Sequence, residues 1–361
     1  MNTIDDTRYG KITEWVRTEI AAGRMRDGDR LLSENELAER FEVSRQTARH
    51  AVQVLEAEGL VVRRQGSGTY LRAGRYEEVR RRKKVAVVTT YIDSYIFPKI
   101  LKGIEKTLYD AGYLVQISYT NNTFTRERSI LEEIVSQDEV AGVILEGTKS
   151  ALPDPNLDLL TQLHKSSIPV LFINSGYRDF PGPVVSLDDK EAGRLATEYL
   201  IARGHKNIAG IFKLDDGQGR LRYAGYREAL TNAGLPIRDE QILWYDTTDL
   251  NEWLDADTKA PLRRLDGCSA VVCYNDQVAV CLEKALMLEK KSCPKDLSVV
   301  GIDNSELSRM GNTELTSIEH PKEELGTKAA SILLNMIDGK NAGEDYFFTP
   351  KITERDSVRK L

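Results

Sequence analysis

LLSENELAERFEVSRQTARHAVQVLEAEGLVVRRQGSGTYL, residues 31–71, decides the architecture of the N-terminal part of the chain. From Asn35 to Phe41, the apolar residues Leu37, Ala38 and Phe41 fall at the spacing of a short amphipathic helix. Ser33 stands at its N-cap, where its hydroxyl accepts from the N–H of residue 36, and Glu36 completes a capping box. Val43 and Ser44 repeat the start signal. A second helix is expected from about Arg45 to Glu58, burying Ala48, Ala51, Val52 and Leu55. Its other face shows Arg45, Gln46, Thr47 and Arg49 at the N-terminal end. Gly59 stops it, since glycine takes the left-handed C-cap at no steric cost. Two β runs follow, Leu60 to Arg64 and Thr69 to Leu71, joined by Gln65, Gly66, Ser67 and Gly68 as a hairpin.

Helix, turn, helix, hairpin is the order of a winged helix-turn-helix. Its polar groups fall where DNA needs them. Arginine and glutamine in the first turn of the second helix suit guanine and adenine edges in the major groove. The helix N-terminus adds N–H groups for phosphate. Arg63, Arg64 and Gln65 put further donors on the wing. Upstream, Tyr9 to Ala21 places Ile12, Val16 and Ile20 at helical spacing, with Trp15 alongside, and Gly23 ends that helix. Arg8 at its entrance reads equally as a phosphate contact or an exposed arginine.

The motifs LLSENELA, VSRQTAR, LEAEGL and RQGSGTY resemble the DNA-binding domain of the GntR family. Leu32 replaces the family's usual proline and Ala48 its usual valine; both fit the fold. By this resemblance the DNA-contacting positions are Glu34, Arg45, Thr47, Arg49, Gln65, Gly66 and Gly68.

The 361 residues suffice for two or three domains, and 41% hydrophobic with 29% charged is ordinary for a soluble globular protein. There is no run of eighteen apolar residues, and MNTIDDTRYG does not read as a signal peptide, so a cytoplasmic location is expected. Cys268, Cys273, Cys281 and Cys293 lack metal-like spacing and are expected as reduced thiols, with no metal site. The net charge of −6 hides an asymmetry: residues 1–84 carry 18 Lys+Arg against 14 Asp+Glu, and the remainder 32 against 42. A basic head on an acidic body fits one nucleic-acid-binding end. Between them RAGRYEEVRRRKK, residues 72–84, reads as a basic linker, either simply solvated or adding phosphate attraction.

From Val85 the texture changes. VAVVTTY, LVQISY, AGVILE, IPVLFIN, NIAGIF, AVVCYN and LSVVGID are apolar strand-like runs. Helical patterns separate them at Pro98–Ala111, Thr125–Gln137, Lys190–Ala202, Gly219–Ala233, Asp276–Leu288 and Lys322–Met336. Such alternation means an α/β, doubly wound arrangement, and its length predicts two lobes. Ligands in such sheets sit beyond the strands' carboxyl ends. Those ends carry Thr89, Thr90 and Tyr91; Glu146; Asn174; Lys213, Asp215 and Asp216; Asn275 and Asp276; Asp303 and Asn304. With Tyr91, Tyr95 and Phe97 nearby, the set suits a polyhydroxylated ligand with an apolar C–H face.

An enzyme is not expected. Asp188/Asp189 and Asp215/Asp216 are adjacent pairs that seldom point into one site, and His164 and His205 have no evident nucleophile partner. No GxSxG, GxxxxGK[ST] or post-strand GxGxxG occurs.

RLRYAGYREAL (220–230), CYNDQVA (273–279), LSVVGIDNSE (297–306) and LTSIEHPKEELG (315–326) resemble the effector domain of the LacI/GalR family. The resemblance implies a two-lobed, periplasmic-binding-protein-like (type I) body, with ligand positions at Thr90, Asn174, Arg220, Asn275 and Asp303. Asn174 replaces a frequent aspartate. TTYIDSYIFPKI (89–100), EGTKSAL (146–152), GIFKLDDGQG (210–219) and EHPKEELG (319–326) make the whole chain similar to the arabinose-repressor family. This adds Lys213, Asp215, Gln218, Arg222 and His320 as ligand candidates and implies L-arabinose as allosteric effector, with no cofactor. Arg222 also reads as a structural ion-pair partner, and His320 as a satisfied turn histidine.

The expected map is a winged helix-turn-helix over 1–71, a linker over 72–84 and an effector and dimerisation domain over 85–361. Lobe 1 takes about 85–186 and 322–345; lobe 2 takes about 187–321 and 346–361. A homodimer on near-palindromic double-stranded operator DNA, released by sugar, follows. Two other classes stay open: a co-repressor-type regulator answering to a purine or phosphorylated sugar, and a sugar-modifying enzyme with a DNA-binding head.

Overall fold

A computed structural model describes residues 8–21, 24–57, 60–64, 67–72, 84–92, 95–256, 258–340 and 343–361. The chain divides into two compact units, Met1–Lys83 and Lys84–Leu361. The expected linker and its basic run lie almost wholly outside the described residues, as do Gly23, Glu58, Gly59, Gln65 and Gly66.

The first unit holds α1 (Arg8–Ala21), α2 (Glu34–Arg40), α3 (Arg45–Ala57), β1 (Val61–Arg64) and β2 (Gly68–Leu71). The capping box forms as the sequence predicts. Ser33 Oγ accepts from Glu36 N at 3.3 Å, and the Glu36 carboxylate accepts from Ser33 N at 2.7 Å. Ser44 Oγ accepts from Thr47 N at 3.1 Å and opens α3 in the same way. Ile12, Val16 and Ile20 of α1 pack against Leu37, Ala48, Ala51, Val52 and Leu55, all buried. β1 and β2 pair antiparallel, Val61 opposite Leu71, and close this core as a wing.

The second unit is built from two similar lobes. In lobe 1, β3 (Lys84–Thr89), α4 (Phe97–Asp110), β4 (Leu114–Tyr119), α5 (Phe124–Val135), β5 (Val140–Leu145), α6 (Leu157–Lys165), β6 (Val170–Ile173) and β7 (Val184–Leu187) alternate. In lobe 2, α7 (Asp189–Ala202), β8 (Ile208–Lys213), α8 (Gly217–Asn232), β9 (Ile242–Tyr245), α9 (Thr247–Asp255), β10 (Ala270–Cys273), α10 (Asp276–Leu288), β11 (Ser298–Asp303) and β12 (Thr316–Glu319) do the same. The chain then returns to lobe 1 as α11 (Lys322–Ile337) and β13 (Tyr346–Phe348), and ends in lobe 2 with β14 (Ile352–Thr353).

The lobe 1 sheet runs β13-β7-β6-β5-β3-β4, all parallel; the lobe 2 sheet runs β14-β12-β11-β10-β8-β9, antiparallel only at β12–β14. In each sheet the order reverses beside the first strand, β3 or β8, which is where α/β sheets bind ligands. The third crossing falls after Phe348, later than the expected boundary at 345/346. Tyr346–Phe348 pairs in register with Val185–Leu187 and so belongs to lobe 1.

Each lobe carries one helix pair brought together by glycines. A Cβ at Gly193 of α7 would lie 2.0 Å from Arg222 O, and one at Gly225 of α8 1.8 Å from Lys190 O. Gly103 of α4 and Gly326 of α11 meet backbone at 2.2 and 2.1 Å in the same manner. The α7–α8 contact is what delivers Arg222 to the mouth of its sheet. The four cysteines are free thiols. Among the described residues no helix is long and apolar enough to cross a membrane, and no cluster of three His, Cys, Asp or Glu is placed for a metal ion.

Candidate operator-reading face and effector cleft

The N-terminal end of α3 presents Arg45, Gln46 and Arg49 to solvent, with Thr47 half-buried. One carboxylate organises the cationic ones. Glu34, on the first turn of α2, lies 3.1 Å from Arg49 Nε, 3.7 Å from Arg45 Nε and 3.5 Å from Arg63 Nη2. Exposed ion pairs add little stability. Their consequence is geometric: three guanidiniums from two elements are gathered on one face. The sequence reading missed Arg30, which belongs to this face. Its Nε lies 3.0 Å from where a Cβ at Gly68 would stand, and Gly68 has φ +124. Glycine is therefore favoured there by the backbone, and a side chain would also press on Arg30. Of the other expected DNA contacts, Arg8 begins α1 but its side chain lies outside the described residues, as do Gln65 and Gly66.

In the second unit the carboxyl ends of both sheets border a cavity of about 240 Å³. Lobe 1 supplies Thr90, Tyr91, Tyr95, Phe97 and Glu146; lobe 2 supplies Lys213, Gln218, Arg222, Asn275 and Asp303. Ten of the expected residues thus converge. The Tyr91 and Phe97 rings meet edge to face at 5.9 Å and form an aromatic wall.

Glu146 is buried. Its carboxylate accepts from Thr90 N at 2.8 Å, Thr90 Oγ1 at 2.5 Å and Asn174 Nδ2 at 2.6 Å. Burial raises its pKa, and those donors oppose the rise. On the facing lobe, Arg222 is 1% exposed. Its Nε donates to Asp189 Oδ1 at 2.8 Å, Nη1 to Tyr274 O at 2.6 Å and Nη2 to Asp303 Oδ1 at 3.3 Å. Burial disfavours this charge, but Asp189 and Asp303 outweigh it and hold the guanidinium well above its ordinary pKa. Burial works against Lys213 in the same way; Asp216 and Asp215, both 3.8 Å from Nζ, reverse it and keep the ammonium charged.

Tyr95 joins the lobes. Its hydroxyl donates to Asp303 Oδ2 at 2.5 Å and accepts from Asp276 N at 3.3 Å. Burial, then Asp303, push its pKa far up, so the phenol remains a donor. Tyr95 has φ +65, an uncommon conformation for a bulky side chain. The two lobes therefore touch across the cleft in this structure.

Five expected residues do not line the cavity. Asn174 stands behind Glu146, and Asp215 behind Lys213. Arg220 is exposed and donates to Ala151 O at 3.3 Å, because residues two apart on α8 point to different faces. Asp276 turns away, accepting from Ser305 N, Ser305 Oγ and Ser317 Oγ at 2.6–2.9 Å. His320 is buried in the second lobe crossing with neither ring nitrogen hydrogen-bonded among the described residues, and burial lowers its pKa to about 4. Among the described residues it is therefore not a satisfied turn histidine, and its other reading, as a ligand candidate, is left standing.

Asp216, expected at a strand end, also lines the cavity; the reading missed Asp189, Tyr274 and the α9 residues Leu250, Asn251 and Leu254. Tyr274 Oη donates to Asp216 Oδ2 at 2.5 Å. The three α9 residues line the cavity on the side of lobe 2. Taken together, donors (Lys213, Arg222, Gln218) and acceptors (Glu146, Asp216, Asp303) surround a space with one aromatic wall. That is the complement of a small molecule bearing several hydroxyls.

Comparison with known proteins decides the family. Residues 8–71 match the model of bacterial regulatory proteins of the gntR family, and residues 197–358 that of the periplasmic binding protein-like domain. The arabinose metabolism transcriptional repressor of Geobacillus stearothermophilus is 35% identical over 360 residues, 98% of each chain. The chain belongs to the arabinose-repressor family. A second member, from Halalkalibacterium halodurans, is also 35% identical, over 98% of this chain and 97% of its own. The transcription regulator CcpA of Lactococcus lactis superposes with a TM-score of 0.68 at 25% identity, covering 77% of this chain and all of that one. As an arabinose-repressor-family member the protein is a DNA-binding transcriptional repressor, with a GntR-type winged head and a two-lobed, sugar-regulator-like α/β body.

Proposed function

We propose that this repressor binds L-arabinose in the interlobe cleft and releases its operator when it does. The observation that carries the reading is the interlobe cleft itself. Cationic and amide donors, carboxylate acceptors and the Tyr91–Phe97 wall surround one space sized for a small ligand. The names of relatives 35% identical over nearly the whole chain favour arabinose among the sugars such a cleft accepts.

In this reading Thr90, Glu146, Lys213, Asp216, Gln218, Arg222, Asn275 and Asp303 exchange hydrogen bonds with sugar hydroxyls, and Tyr91 or Phe97 packs on its C–H face. Arg45, Gln46, Thr47 and Arg49 read base edges, while Arg30, Arg63 and Gly68 sit against the backbone. Two chains pair, so that two α3 helices meet half-sites a whole number of helical turns apart, about 34 Å each. The basic linker, 72–84, passes the change between body and head in the cytoplasm, where the DNA is. Sugar stabilises the closed body over the DNA-competent one, since only a difference in affinity shifts the population.

Calorimetric titration of the intact protein with L-arabinose, D-xylose, D-ribose and D-galactose tests the sugar. Binding of L-arabinose alone, or most tightly, is expected. Binding of none of the four, or of another far more tightly, overturns the assignment and leaves the DNA-binding head standing.

A further inference from the structure

We propose that Asn122 is a positioning residue of the effector site: from lobe 1, through Thr247, it fixes the Asp215 carboxylate and the α9 wall of the cleft. The proposal rests on the effector reading above.

Asn122 lies in the turn between β4 and α5, outside the lining of the effector cavity. It is 2% exposed, with φ +52, a left-handed conformation that asparagine tolerates. Its backbone N–H and both polar atoms of its side chain are engaged. Its N–H donates to Thr120 Oγ1 at 3.1 Å, and its Oδ1 accepts from Lys149 N at 2.7 Å. Its Nδ2 donates across the lobes to Thr247 Oγ1 at 2.6 Å. Thr247, 7% exposed, opens α9. Its hydroxyl spends its single proton on Asp215 Oδ2 at 2.7 Å, and its N–H donates to the same oxygen at 3.2 Å. The hydroxyl can therefore only accept from the other side, and Asn122 is the donor that meets it.

Two structural consequences follow from this relay. Asp215 stands 3.8 Å from Lys213 Nζ, so the relay places the counter-charge of a cleft lysine. Thr247 also starts the helix whose Leu250, Asn251 and Leu254 line the cavity. A neighbouring contact reinforces it: Gly217 N donates to Ser150 Oγ at 3.0 Å, again lobe 2 to lobe 1. Closing the lobes therefore completes the lobe 2 seat with a lobe 1 donor that never touches ligand. Sugar affinity and the meeting of the lobes are linked through this hydrogen bond alongside that of Tyr95 to Asp303.

Two substitutions isolate it. Asn122→Gly keeps the left-handed backbone at no steric cost and removes the side chain. Asn122→Asp keeps that backbone and the acceptor for Lys149 N, but offers no donor to Thr247. Both are made in the full-length chain, and the L-arabinose dissociation constant, sugar-free operator affinity and melting temperature are measured. Losing one net hydrogen bond corresponds to about tenfold in affinity. Both variants are expected to bind L-arabinose about tenfold more weakly or worse, with sugar-free operator affinity unchanged. Thr247→Ser, which keeps the hydroxyl, is expected to bind L-arabinose as the wild type does. Wild-type sugar affinity in both Asn122 variants overturns this inference alone. A wild-type chain that binds no sugar overturns the effector reading, and the inference with it.

Discussion

Replacing Arg222 with methionine tests the electrostatic core of the cleft. Arg222, Asp189 and Asp303 are 1%, 2% and 2% exposed, and the guanidinium is the cation both carboxylates share. Removing it leaves two buried carboxylates without their shared cation, at a cost of about 3–5 kcal/mol. That is a large part of the roughly 5–15 kcal/mol by which a domain is stable. At about 2–4 °C per kcal/mol for a unit of this size, the melting temperature falls by something on the order of 10 °C. Scanning calorimetry of the full-length chain near neutral pH reads it directly. Adding Asp189→Asn and Asp303→Asn to the methionine variant recovers part of the loss, because it removes the unpaired charges while keeping the cavity. A single variant melting within about 2 °C of the wild type refutes the reasoning. A triple variant no better than the single one places the cost in packing rather than in charge.

Arg49→Ala is expected to weaken operator binding by about 10- to 100-fold, the range for one base-reading arginine, with sugar affinity untouched; equal binding in a fluorescence anisotropy titration counts against the assigned face. Ser33→Ala removes the capping hydroxyl at Glu36 N and costs the head about 1 kcal/mol, measured by urea unfolding. Glu283 carries a pH prediction. Burial raises its carboxyl from 4.5 to about 7, and its Oε1 has no hydrogen-bond partner among the described residues. The folded protein therefore holds a proton that the unfolded chain has released, and this group's contribution is lost as pH rises from about 4.5 through 7. Glu283→Gln should melt higher than the wild type above pH 7, with the gap closing on acidification. Parallel melting curves across that range contradict it.

The head is legible in the sequence because each of its signals is local: a capping box, a second serine cap, and helix faces at the right period. The long strands of the body are equally plain, since VAVVTTY or LSVVGID is apolar throughout. The missed strands β7, β9, β12, β13 and β14 are two to four residues long, and β13 and β14 sit at sheet edges. Their pairing comes from partners far along the chain, as Tyr346 opposite Val185 shows. α9 escaped notice because TTDLNEWLD makes under three turns. In the site, strand ends found Glu146, Lys213 and Asp303, because topology places such ends at a cleft whatever their neighbours do. Direction is what they do not specify. Asp276 follows Asn275 yet points to Ser305 and Ser317, and Arg220 points outward where Arg222 points in. Asp189 was legible only as half of an adjacent pair. Its partner is Arg222, 33 residues on, and only the glycine-mediated approach of α7 and α8 brings the two together.

The most direct test of the account is operator affinity with and without sugar. The full-length chain is titrated onto an operator duplex selected by the protein itself, at fixed salt, in the absence and presence of saturating L-arabinose. The account predicts weakening of about 5- to 150-fold, the span of an ordinary allosteric coupling of about 1–3 kcal/mol, and little change with D-xylose or D-galactose. Unchanged or tighter operator binding in saturating L-arabinose contradicts it.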